Sequence, residues 1–110
     1  MIIWHNPRCS KSRAALALLE DRNPSVRRYL EDAPTVSELQ AVSTKLGLPA
    51  HQMIRKGEKV YKELGLSNDS TDAELFQAMA DHPILIERPV AISGDQAVIG
   101  WPPENVLELP

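Results

Sequence analysis

The chain holds one cysteine, Cys9, among 110 residues, so no intramolecular disulfide is available and stability must come from a packed core. A lone thiol fits a reducing compartment, because secreted domains of this size commonly carry even sets of cysteines. His5 and Asn6 interrupt the N-terminus before any leader-like hydrophobic region develops. No apolar run, Ile84-Leu85-Ile86 included, approaches the roughly 18 residues a membrane span requires. The expectation is a soluble, unsecreted, cytoplasmic protein that does not engage a membrane. Excess charge is also scarce: the net value is -3 with a pI near 5.6, which gives no overall attraction for nucleic acid. Repeats, linkers and low-complexity tracts are absent.

What is present is an ordinary globular composition, 43% hydrophobic and 25% charged. The length predicts a single domain over residues 1–110, able to hide roughly 60 to 70% of its unfolded surface. Met1-Ile2-Ile3-Trp4 reads as a strand stopped by Asn6-Pro7, and Ala14, Ala15, Leu16, Leu18 and Leu19 fall at helical spacings from Ser10 until Asn23-Pro24. Val26 to Leu30 reads as a second strand, so the opening is a strand-helix-strand unit that favours a parallel pair.

Thr35-Val36-Ser37-Glu38 and Thr71-Asp72-Ala73-Glu74 are capping boxes, each starting a helix; Gly47 ends the first and His82-Pro83 the second. Short helical turns are expected between Pro49 and Leu66. Ile84-Leu85-Ile86, Val90-Ala91-Ile92 and Ala97-Val98-Ile99 read as strands, two of them joined by a Gly94-Asp95 hairpin turn. Pro102-Pro103-Glu104 predicts a final helix through Leu107. The class is α/β, a mixed central sheet flanked by helices.

The chemistry concentrates in His5-Asn6-Pro7-Arg8-Cys9-Ser10-Lys11-Ser12-Arg13, which puts the only thiol where a strand ends and a helix begins. The first amides of a helix lack intrahelical partners, so a thiolate there meets free donors and a partial positive charge. Arg8, Lys11 and Arg13 are expected to push the same way. Lowering a thiol from about 8.5 by about two units makes it mostly thiolate at neutral pH, worth roughly 2.7 kcal/mol.

The bland alternative, a small buried hydrophobe, would require desolvating the neighbouring charges. His5 reads equally as a hydrogen-bonded strand end or as a group that stabilises the thiolate. A zinc site is set aside because His51 and His82 have no ligand-like spacing to His5 and Cys9. Cys9 to Ser12 is a C-x-x-C pattern with the resolving thiol replaced by a hydroxyl, so any disulfide that completes a reduction must come from an external thiol such as glutathione or glutaredoxin. Arg55 and Arg88 are the remaining candidates, since guanidinium forks suit a tetrahedral oxyanion and Arg88 precedes Pro89, where a cis peptide would present backbone to a site. Tyr61, Glu63 and His82 read as structural.

These residues resemble the glutaredoxin-coupled arsenate reductase family, the ArsC-like branch of the thioredoxin-like fold, nearly end to end. The likeness rests on the segment from His5 to Arg13, on Tyr29-Leu30-Glu31 with Ala33-Pro34-Thr35, on Arg55-Lys56 before Tyr61-Lys62-Glu63-Leu64-Gly65-Leu66, and on His82-Pro83-Ile84-Leu85-Ile86-Glu87-Arg88-Pro89. The resemblance implies a thioredoxin-like fold with a helical insertion over about 35–81. It implies a catalytic Cys9 whose ionisation His5 assists, with Arg55 and Arg88 holding arsenate; Ser12, Lys11 and Arg8 are grouped with them as substrate-binding candidates. Pro89 would be the cis proline. Glutathione would be co-substrate and glutaredoxin partner, with no bound cofactor and no metal; apart from the resemblance, a monomeric chain is expected.

One departure stands out: the family's arsenate reductases carry a third arginine before the proline of the C-terminal helix, where this chain has Trp101-Pro102. Losing one charge-assisted hydrogen bond, worth about 1.5 to 3 kcal/mol, weakens oxyanion holding roughly tenfold to a hundredfold. Two other readings stay open. One is a glutathione-handling thiol protein without arsenate specificity. The other is a non-catalytic adaptor, because relatives of this fold bind RNA polymerase, although those carry the C-x-x-C switch that Ser12 abolishes.

Overall fold

Ile2, Ile3 and Trp4 form β1 (Ile2–Trp4), the strand on which the N-terminal part of the molecule is assembled. The computed structural model describes all 110 residues and divides them into two units, Met1–Asp32 with Arg88–Pro110, and Ala33–Glu87. The first unit adds α1 (Ser10–Leu18), β2 (Ser25–Arg27), β3 (Val90–Ser93) and β4 (Gln96–Ile99). Its sheet order is β2-β1-β3-β4: β1 runs parallel to β2 and antiparallel to β3, and β3 and β4 form an antiparallel hairpin. This mixed sheet with packed helices is the thioredoxin-like arrangement.

The core of this unit gathers Ile3, Ala15, Leu19, Ala91, Val106 and Leu109, so α1 and the C-terminal segment cover the sheet together. Fully burying a side chain such as Leu19 is worth about 1.5 to 3 kcal/mol. Gly100 lies in this packing because nothing larger fits: a Cβ there would meet Pro89 Cγ and Val106 Cγ1 at 2.9 Å. Asn23, at φ 50°, lets the chain leave the turn after α1 in the left-handed region that asparagine tolerates.

The second unit contains α2 (Val36–Leu46), α3 (Lys59–Glu63) and α4 (Asp72–Asp81). Both capping boxes are closed: Glu38 N–H donates to Thr35 Oγ1 and Glu74 N–H to Thr71 Oγ1, each at 3.1 Å, while each glutamate accepts from its threonine amide. Gly47, at φ 67°, ends α2. Helices α2 and α4 pack together, burying Leu39, Val42, Leu75 and Met79. The helical insertion expected over 35–81 falls within this unit.

Three expected elements are different. Ile84-Leu85-Ile86 is not a strand: Pro83–Leu85 is a 3-10 turn, and Ile86 makes a single antiparallel bridge to Ile54. Pro83 has a fixed φ and no N–H, and the Leu85 and Ile86 amides are satisfied locally by His82 and Pro83 carbonyls. The second strand stops at Arg27 rather than Leu30, because its partner β1 ends at Trp4 and the chain then turns, Glu31 and Asp32 both donating to the Arg28 carbonyl. The final helix is a 3-10 segment, Pro103–Glu108, too short to offset the nucleation cost of an α-helix and anchored by buried Val106 and Leu109.

Candidate active site

Cys9 is the N-cap residue of α1, with extended backbone (φ -98°, ψ 122°), and its carbonyl accepts the helical N–H of Arg13 at 3.0 Å. The preceding residues reverse tightly: the Cys9 N–H returns to the Asn6 carbonyl and the Arg8 N–H to Asn6 Oδ1, both at 3.0 Å. This leaves the first amides of α1 without intrahelical acceptors beside a half-buried sulfur. Burial is the largest single influence on the thiol and raises its pKa. The Ser12 backbone N–H, a hydrogen bond from the Arg88 side chain, the Lys11 backbone N–H and the Arg88 charge together outweigh it, and the thiol lies below its ordinary value. The Cys9 side chain makes no short capping hydrogen bond, and the Ser12 and Lys11 amides act on a large, diffuse sulfur.

Strand pairing delivers Arg88. It precedes Pro89 and β3, whose Val90 pairs with Trp4 at the end of β1, so the residue ahead of β3 meets the loop that follows β1. The Arg88-Pro89 bond is cis, as the sequence suggested.

His5 and Ser12 are buried, 6% and 0% exposed, and pair through Nδ1 and Oγ at 2.6 Å. Ser12 Oγ also accepts the Asn6 N–H at 3.0 Å. The Ser12 hydroxyl therefore fastens the loop from beneath, and what Ser12 offers Cys9 is its backbone. Burial above all, and the charges of Arg28 and Arg13, hold the His5 imidazole below its ordinary pKa. His5 is thus a neutral ring at neutral pH and acts on the loop through Ser12, not as a cation.

The expectation that Arg8, Lys11 and Arg13 stabilise the thiolate by charge is corrected. Lys11 contributes its amide, while its Nζ sits 4.9 Å above the Trp101 ring centroid, a cation-π contact. Arg13 donates to the Pro7 carbonyl at 2.9 Å, and Arg8 is an exposed side chain with no ion pair. The guanidinium on the sulfur is that of Arg88.

Arg55 lies in the second unit, where its N–H donates to the Leu85 carbonyl at 2.7 Å beside the Ile54–Ile86 bridge. Its guanidinium is engaged by Glu58 at 2.8 Å and approached by Glu87 at 4.0 Å.

Sequence reasoning passed over Arg28, whose charge bears on His5. The signal was there in register: the His5 N–H pairs with the Arg27 carbonyl, so the next residue flanks His5. No cluster of three histidine, cysteine or carboxylate side chains suited to a metal occurs, and no helix is long and apolar enough to cross a membrane.

Comparison with known proteins places this geometry. Residues 4–109 match the ArsC family. The chain is 50% identical over 113 residues to an arsenate reductase of Haemophilus influenzae, covering 99% of this chain and 97% of that one. It is 37% identical to an arsenate reductase of Escherichia coli K12, covering 97% of this chain and 78% of that protein. The solved structure of an arsenate reductase from Vibrio cholerae superposes with a TM-score of 0.94 at 50% identity, over 99% of this chain and 96% of that one. A thiol held at the start of a thioredoxin-like helix, on a sequence matched from end to end, makes this chain a member of the ArsC family.

Proposed function

We propose that the protein is a thiol-dependent oxidoreductase that reduces arsenate to arsenite through Cys9, with glutathione and glutaredoxin restoring the thiol. The observation that carries this reading is the Cys9 sulfur favoured as thiolate by two helix-start amides and the Arg88 guanidinium. A thiolate is the nucleophilic form of cysteine, and a guanidinium beside it both favours ionisation and holds an incoming oxyanion. Arg55 keeps the oxyanion-holding role that the family pattern gives it, in exchange for Glu58.

In the cycle, Cys9 sulfur bonds to arsenic and one oxygen leaves as water. Glutathione then supplies the second sulfur: arsenic(V) takes two electrons and departs as arsenite, leaving Cys9 and glutathione joined as a mixed disulfide. A thiol of glutaredoxin takes the glutathione and frees Cys9. One arsenate and two thiols give one arsenite, one disulfide and one water. With Ser12 in place of a resolving cysteine, the second sulfur must come from outside. The scheme uses no metal and no bound cofactor, and the chain acts as a cytoplasmic monomer.

The test is arsenite production from arsenate with glutathione and glutaredoxin. Wild type turns over and Cys9→Ser does not; equal output from the two at saturating glutaredoxin defeats the assignment. The Lys11–Trp101 contact favours one second reading, a glutathione-handling protein whose third anion donor is replaced by an aromatic ring. It predicts a stable Cys9–glutathione adduct by mass spectrometry without arsenate turnover.

A further inference from the structure

We infer that a cavity beside the Cys9 loop is the docking subsite for the reducing co-substrate, a short peptide thiol carrying two carboxylates and one ammonium. This rests on the reading above, in which the second sulfur comes from solution. The cavity has a volume of about 250 Å³, and Asn6, Arg8, Arg28, Leu30 and Glu31 line it. Its wall and the nucleophile are two ends of one turn, because the Cys9 N–H bonds the Asn6 carbonyl at 3.0 Å. Cys9 itself lies outside the lining, directly after Arg8 in the chain.

The charges around the cavity are what single out its ligand. Elsewhere the arginines near carboxylates are paired, Arg27 with Asp32 at 3.3 Å and Arg55 with Glu58 at 2.8 Å. The guanidiniums of Arg8 and Arg28 and the carboxylate of Glu31 have no ion pair and no side-chain hydrogen bond. Arg28 and Glu31 nevertheless belong to one turn, the Glu31 N–H donating to the Arg28 carbonyl at 3.0 Å. Two free cations and one free anion on a single cavity complement two carboxylates and one ammonium. An inorganic oxyanion would use the arginines but neither Glu31 nor the half-exposed apolar face of Leu30. The volume lies just under the range of small-molecule pockets, roughly 300 to 1,000 Å³, so the cavity holds part of a tripeptide and leaves its thiol outside, toward Cys9.

Two measurements on the full chain test this. Titration of isotope-labelled wild type with S-methylglutathione, which cannot react, is expected to shift amides of the Asn6–Cys9 and Arg28–Asp32 turns, and Arg8→Ala/Arg28→Ala to lose those shifts. In the coupled assay, Arg8→Ala, Arg28→Ala and Glu31→Gln each raise the glutathione KM about tenfold, Glu31→Gln with kcat and the arsenate KM within about twofold, and Arg28→Lys recovers part of the loss. Shifts located elsewhere, an unchanged glutathione KM in the double variant, or a rise in the arsenate KM instead, overturns the assignment. S-methylglutathione binding at these turns in a wild type that yields no arsenite supports the subsite and refutes arsenate reduction, so the two claims fail separately.

Discussion

Cys9 is governed by few atoms, and substitutions can apportion their effects. Arg88 both hydrogen-bonds the sulfur and acts on it by charge, whereas Lys11 contributes only its amide. Arg88→Ala is therefore expected to raise the Cys9 pKa, read from the ultraviolet absorbance of the thiolate, and to shift the acidic limb of the activity profile to higher pH. Lys11→Ala keeps the amide and leaves the Cys9 pKa in place. His5 gives a second pH signature. Its folded pKa is lowered, so below its ordinary value the unfolded chain binds a proton that the folded protein refuses. Its contribution is complete above about pH 6.5 and declines as pH falls toward the lowered folded value. Thermal unfolding of wild type should weaken between neutral and mildly acidic pH, and His5→Asn should flatten that dependence. Ser12→Ala strands the buried His5 ring and the half-buried Asn6 N–H, at a cost of about 1 to 3 kcal/mol in denaturant unfolding.

At the scale of elements, the best-read parts of the sequence were those whose hydrogen bonds close locally. Thr35 with Glu38 and Thr71 with Glu74 satisfy helix amides within three residues, so both starts could be placed from the sequence. Thr71→Ala is expected to cost about 1 kcal/mol by removing the hydroxyl that accepts the Glu74 N–H, while the residue 71 amide, the larger of the two groups that hold the Glu74 carboxyl below its usual range, still binds it. Ile84-Leu85-Ile86 misled because burial alone accounts for apolar residues; only the partner decides between strand and turn, and Ile86 finds one bridge rather than a ladder. Gly100 links packing to chemistry. Gly100→Ala drives a Cβ against Pro89 and Val106, which should cost about 1 to 3 kcal/mol and, by displacing the residue next to Arg88, raise the Cys9 pKa without touching the sulfur.

Taken whole, the molecule is slightly acidic at -3 yet presents cations around one loop. Sedimentation equilibrium should give a mass near 12.2 kDa if the proposed monomer holds, and a value near twice that would redirect attention to exposed Trp101 and Leu107. The sequence by itself determined the class of fold, the helix starts and the position of the lone thiol at a strand-to-helix junction, because these depend on spacing and on groups a few residues apart. Only the tertiary structure decided which charge reaches the sulfur. Arg8, Lys11 and Arg13 are near Cys9 along the chain, but their side chains leave toward solvent, the Trp101 ring and the Pro7 carbonyl. Arg88, remote in sequence, is brought in by the pairing of β3 with β1, since strand register fixes spatial neighbours that local order cannot.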